Sequence, residues 1–288
     1  MTEFIVLVFA IIGWVVLNKY VLPKWRHRDA RTIKPREVSE LLYAIADSGS
    51  RVMANRVTTT VKQLFLHGVE RHFVEATPVQ LLRKPGGKER PRERALSDDE
   101  LRAFLQDPVG ATRYPRLSHV VTLLLLTAAR RGELTQARWR DVDLERKVWA
   151  VPAESAKTGR PHLVPLSDRA VAEFRQLKRL AGRSRWVLPG KDPARPVEPR
   201  LLTRGVAKCL KRFERLGIAP FTLHDLRRTC RTGLARLQVP PHVAELCLSH
   251  ALPGIAGVYD VHDYLEEKRA ALDAWAAHLE GLGPPVPP

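Results

Sequence analysis

Residues 83–95, RKPGGKERPRERA, decide the gross organisation of the chain, because no helix or strand can run through them. Two prolines, two glycines and a run of charge make this stretch a flexible linker. The chain is therefore expected to divide into an apolar start (1–18), a smaller body (19–83), the linker (84–95), a larger body (96–282) and a disordered tail (283–288). With 288 residues and an apolar share of 44%, there is enough material for a real core.

The body ahead of the linker reads as helical. Over 34–49, Val38, Leu41, Leu42 and Ile45 fall on one face, and Gly49 stops the pattern. A second helix is predicted from about Arg51 to Val74. It turns Val57, Val61, Leu64, Phe65 and Val69 inward and Arg51, Arg56, Lys62 and Arg71 outward. That basic outer face suits nucleic acid or plain solvent equally well. Residues 4–17, FIVLVFAIIGWVVL, are uninterruptedly apolar and have the length of a buried helix; continued through Leu22 they approach spanning length. Lys24, Arg26, Arg28 and Arg31 would then keep the remainder in the cytoplasm. A membrane anchor and a packed soluble helix both fit this stretch. A cleaved signal peptide does not, since Glu3 stands where a basic region belongs and no small-residue cleavage site follows.

Behind the linker, Ser97 and Glu100 form a capping-box pair that opens the helix DDELRAFL. KVWAVPAE (147–154) and PHLVPLS (161–167) are strand-like, and the turn between them projects Lys157. Helices are predicted at about 168–181, 200–216, 225–237, 240–249 and 263–281, the last with Leu265, Leu272, Trp275 and Leu279 at helical spacing. The fold class is mainly α with a small β-sheet.

Charge narrows the function. Lysine and arginine number 48 against 31 acidic residues, a net +17 with pI near 10.3. Such a surplus attracts polyanions, and its spread along the chain favours long grooves over a tethering tail. Cys209, Cys230 and Cys247 are odd in number and form no CxxC pair, which argues against a disulfide framework and a zinc site. No dense acidic cluster offers the ligands of a two-metal nuclease.

Four basic segments, TAARRGEL (127–134), AKTG (156–159), LHDLRRT (223–229) and CLSH (247–250), precede the tyrosine of GVYD, Tyr259. Together they supply two arginines, a lysine, two histidines and a phenol, a set suited to attack on a phosphodiester without a metal. A phenol with a pKa near ~10 needs help losing its proton. A planar guanidinium donates two parallel bonds to phosphate and stays charged. Each residue also has a plainer reading. Arg130 beside Glu133 makes an ordinary ion pair, Lys157 a solvated turn residue, His224 beside Asp225 a helix cap, and His250 a partner for a helix C-terminus. Tyr264 competes with Tyr259.

From about Lys19 to Leu282 the chain resembles a tyrosine recombinase of the phage and genomic-island integrase type. The resemblance rests on TAARRGEL, AESAKTGRPHLVPLS, LHDLRRT and LSHALPGIAGVYD in that order, with His250 and Tyr259 at the family's separation. It implies that Arg130, Lys157, His224, Arg227, His250 and the nucleophile Tyr259 take the six active-site positions. Lys157 would be the acid that protonates the leaving oxygen. Residues 19–83 would be a helical core-binding domain and 96–282 the catalytic domain, closing on duplex DNA. The implied activity is site-specific cleavage and rejoining through a 3′-phosphotyrosine, for integration or excision of a mobile element, with no cofactor and no metal. Implied partners are double-stranded DNA carrying core attachment sites and a homotetrameric synapse, the final amphipathic helix docking on a neighbouring protomer. The expected location is the cytoplasm, at the nucleoid. Two motif positions depart from the family: TAAR replaces the commoner threonine-glycine pairing, and Ser249 stands where glycine is frequent. The apolar stretch stands where such integrases carry an arm-binding domain. The alternative is therefore a truncated remnant, held at a membrane or not, that binds DNA without recombining.

Overall fold

The computed structural model describes residues 13–89, 92–106, 115–250 and 262–283. The chain forms two compact units, Met1–Arg92 and Glu93–Pro288.

The first unit is helical. Helix α1 (Pro35–Asp47) starts with proline at its first position and with the Glu37 carboxylate accepting from the Lys34 backbone N–H at 2.9 Å. It ends before Gly49, whose φ of +84° continues no helix. Helix α2 (Arg51–Glu70) packs Ala54, Val57, Val61 and Phe65 against Val38, Leu42 and Ile45 of α1. Each such buried aliphatic side chain contributes about 1.5–3 kcal/mol. Leu64, expected inward, is 45% exposed. At about 100° per residue it lies nearly a quarter-turn from the centre of the buried stripe, so it falls on the flank.

The described part of the apolar start does not stand apart from the first unit. Residues 13–25 are helical, with a π-turn over Leu17–Val21, and Val16 and Val21 are buried in the core of this unit. No helix among the described residues is long and apolar enough to cross a membrane. Residues 1–12 lie outside the described residues. Nor does the 84–95 segment run free where it is described. Asn55, 2% exposed in α2, accepts from the Gly86 N–H at 2.9 Å and donates to the Gly87 carbonyl and the Glu89 carboxylate at 3.0 Å each. A buried amide must be satisfied, and two backbone groups and one carboxylate do it. Gly86 is required there, since an added Cβ would stand 2.2 Å from the Arg51 carbonyl oxygen.

The second unit opens on helix α3 (Asp98–Gln106), where Ser97 and Glu100 exchange the reciprocal cap bonds, at 2.9 and 3.3 Å. Helix α4 (Pro115–Thr127) is buried all round from Val120 to Thr127 and runs through the middle of the core. Such a helix has no polar face, and therefore no periodicity to mark it in the sequence. After the short helix α5 (Arg131–Thr135) comes an antiparallel sheet in the order β1 (Val142–Asp143), β2 (Val148–Val151), β3 (His162–Pro165). Val148 pairs Pro165 and Val151 pairs His162, so the expected hairpin is present. The third strand, β1, was not expected; two residues carry too little alternation to show. Helices α6 (Asp168–Ala181), α7 (Pro199–Arg215), α8 (Leu223–Arg236) and α9 (Pro241–Cys247) follow.

The last helix, α10 (Leu265–Gly281), corrects an expectation. Leu272, Trp275 and Leu279 are buried in the chain's own core rather than offered to a neighbouring protomer. Gly233 of α8 makes room for the Trp275 ring, and the indole N–H donates to the Leu125 carbonyl at 2.9 Å. Amphipathic spacing shows that a helix has an apolar face, not which molecule covers it. The architecture is mainly α with one small sheet.

Candidate active site

Arg227, in the first turns of α8, joins two of the four basic segments to its own. It is 3% exposed. One terminal nitrogen donates to the Ala128 carbonyl in TAARRGEL. The other donates to the Leu248 carbonyl in CLSH and meets His250 Nε2 at 3.1 Å. Burial, and then the neighbouring charge of Arg130, lower its pKa to about 10, which still leaves it a cation at neutral pH. Two guanidinium groups held together out of water are costly unless an anion joins them.

Arg130 is fixed from the other side. It precedes α5, and Glu133 accepts from its backbone N–H and from its guanidinium, both at 2.8 Å. Glu133 is 1% exposed and holds Arg130 in place. His224 is exposed at the start of α8, next to the Thr222–Asp225 cap, in which Asp225 rather than the histidine accepts from the Thr222 N–H at 2.8 Å. Partial burial and then the charges of Arg228, Arg227 and Arg130 lower its pKa, so it is neutral at neutral pH. Lys157 is exposed in the turn between β2 and β3, where Gly159 at φ +66° closes the bend. No hydrogen bond or ion pair among the described residues holds it. Tyr259, with the segment 251–261, lies outside the described residues. Tyr264 begins α10 in the left-handed region, its ring edge-on to His242 and His262.

Thus Arg130, Arg227 and His250 are brought together, His224 stands within electrostatic reach, and Lys157 is carried on an open hairpin. Over residues 94–266 the sequence matches the phage integrase family. The chain belongs to that family. It is 31% identical over 281 residues to the prophage integrase IntZ of Escherichia coli strain K12, covering 94% of this chain and 67% of that one. To the integrase of enterobacteria phage P4 it is 23% identical, covering 92% of this chain and 63% of that one. The chain thus spans about two thirds of the length of these relatives. Among solved structures, a lambda integrase fragment (75–356) crystallised as a dimer on a COC′ core site superposes with a TM-score of 0.67 at 20% identity, over 83% of this chain and 86% of that one. A lambda integrase tetramer bound to a Holliday junction gives 0.68 at 19%, over 86% and 70%. These likenesses establish the fold.

Both motif departures of this phage integrase relative fall at left-handed backbone. Ala128 has φ +51° and Ser249 φ +53°, conformations that glycine adopts freely and an L side chain does not. Ala128 places the carbonyl that Arg227 binds, and Ser249 turns the chain from α9 into His250. Some residues of the site escaped the sequence reading. Glu245 contacts His250 Nδ1 and also accepts from Arg231 Nε at 2.8 Å. His162, on β3, lies within the fields of Glu133, Arg130 and Lys268, and neither buried ring nitrogen makes a well-formed hydrogen bond. A glutamate five residues before a motif histidine is a usable signal only once α9 is known to end between them. Among the described residues, no three His, Cys, Asp or Glu side chains converge to hold a metal ion.

Proposed function

We propose that this phage integrase cleaves and rejoins duplex DNA at specific sites through a 3′-phosphotyrosine on Tyr259. The observation that carries the reading is the convergence of the Arg130 and Arg227 guanidinium groups beside His250, a set of donors suited to a phosphate. In this reading both guanidinium groups grip the nonbridging oxygens and stabilise the charge that grows in the phosphorane. His250 adds a third donor. Neutral His224 takes part in proton transfer, and Lys157 swings in on its hairpin to protonate the leaving oxygen. The covalent link conserves the phosphoester's energy, so strand exchange consumes no nucleotide.

Outside the site, α7 supports a duplex substrate. Arg200, Arg204, Lys208, Lys211 and Arg215 are exposed at spacings of four, four, three and four, while Leu202, Val206, Cys209 and Phe213 are buried. The result is a cationic ridge about 22 Å long by helical rise, suited to a phosphate backbone. The first unit is proposed as the core-binding domain. Four protomers in the synapse fit the tetramer seen for lambda integrase, and integration or excision of a mobile element fits the prophage relatives. Action on chromosomal DNA places the enzyme in the cytoplasm.

The test is a nicked suicide duplex bearing a core site. Wild-type protein is expected to form a covalent adduct that persists in EDTA. Arg130→Ala and Arg227→Ala should each slow its formation at least 100-fold while retaining DNA binding. Retention of wild-type rates in either variant would contradict the proposal, and binding without any adduct would favour the remnant.

A further inference from the structure

His250 is held by more than its place in the motif. Its backbone N–H donates to the Glu245 carbonyl at 3.0 Å, and its Nδ1 contacts the Glu245 carboxylate. The second oxygen of that carboxylate is taken by Arg231 Nε at 2.8 Å. On the other side of the ring, Nε2 faces Arg227 Nη2 at 3.1 Å. The four side chains form one line, Arg231–Glu245–His250–Arg227.

The chemistry of the two ends fixes the proton. A guanidinium has donors only, so Nε2 opposite Arg227 accepts. The neutral ring then carries its single proton on Nδ1, where Glu245 is the acceptor. When a phosphate oxygen takes the place next to Nε2, that nitrogen must become a donor. The ring then carries both protons and a positive charge, with Arg227 close on one side. Among the described residues, the carboxylate in contact with the ring is that of Glu245. Burial works to raise the pKa of the Glu245 carboxyl, but the bonds from His250 and Arg231 outweigh it and leave it below its ordinary value. It is therefore a carboxylate at neutral pH.

We infer that Glu245, steadied by Arg231, is a positioning residue that sets the tautomer of His250 and balances its charge when that ring donates to the scissile phosphate. The inference rests on His250 being a phosphate donor, as proposed above.

Two measurements test it. Nitrogen-15 NMR of the imidazoles in the free wild-type protein should show His250 as the Nδ1–H tautomer; an Nε2–H tautomer would overturn the inference, and this result needs no variant to fold. The second compares adduct formation on the suicide duplex for Glu245→Gln, His250→Ala and the double variant. Glu245→Gln should slow the reaction about tenfold or more, with DNA affinity within twofold of wild type, and the double variant should be no slower than His250→Ala alone. Equal further slowing by Glu245→Gln in the His250→Ala background would show a merely structural role and overturn the inference. A wild-type rate in Glu245→Gln with a slow His250→Ala would overturn it while sparing the His250 assignment. A wild-type rate in His250→Ala would remove that assignment and the inference with it.

Discussion

At the scale of single residues, two left-handed positions show how local strain sits beside the site. Ser249 at φ +53° is half-buried, and a non-glycine residue there costs roughly 1 kcal/mol. Ser249→Gly should raise stability by about 0.5–1 kcal/mol, seen as a higher urea midpoint with an unchanged slope. Ala128 shares the conformation but is 0% exposed, so Ala128→Gly relieves strain and opens a methyl-sized void of similar cost. Little net change is expected there. His162 gives a pH signature. Burial, the largest cause, lowers its pKa below 6.5, so the folded state binds this proton less readily than the unfolded chain. Its stabilising effect is complete above that value and is lost as pH falls below it. The melting temperature should drop between pH 7 and pH 5, ahead of the carboxylates, and His162→Leu should flatten that drop. The motif residues stand out in the sequence because they are chemically distinctive in order, and of the six the structure brings Arg130, Arg227 and His250 together. His162 and Glu245 do not stand out, since their importance lies in who their neighbours are.

At the scale of elements, helices with one wet face announced themselves and α4 did not, because burial on every side erases the pattern. The hairpin around Lys157 was legible from its two β-rich runs, and two-residue β1 was not. The case of α10 is the instructive one, because its apolar face was readable but its destination was not. Trp275→Ala should cost about 3–5 kcal/mol, with unfolding independent of protein concentration, as packing within one chain requires. Gly233→Ala, whose Cβ would stand 2.2 Å from the indole, should cost about 1–3 kcal/mol. The same change made in Trp275→Ala should lose most of that penalty. A concentration-dependent loss would return the helix to a neighbour.

At the scale of the whole molecule, a net charge of +17 has to act through surfaces such as the α7 ridge. Binding to duplex DNA should weaken steeply with salt, each neutralised phosphate adding about 0.9 to the slope of log affinity against log salt. Arg204→Ala with Lys211→Ala should lower that slope by about 2. The division into two units was legible from the prolines and glycines near residue 90. The grip of Asn55 on 86–89 was not, because a hydrogen bond between a helix and a distant loop leaves no periodic trace. The central claim is that the phosphate gripped by Arg130 and Arg227 is attacked by Tyr259. Its most direct test is to trap the covalent complex on a suicide duplex, digest both components and map the nucleotide-bearing peptide by mass spectrometry. The account predicts a single modified residue, Tyr259, and no adduct from Tyr259→Phe. A nucleotide on Tyr264 or any other side chain, or an undiminished adduct from the phenylalanine variant, would contradict it.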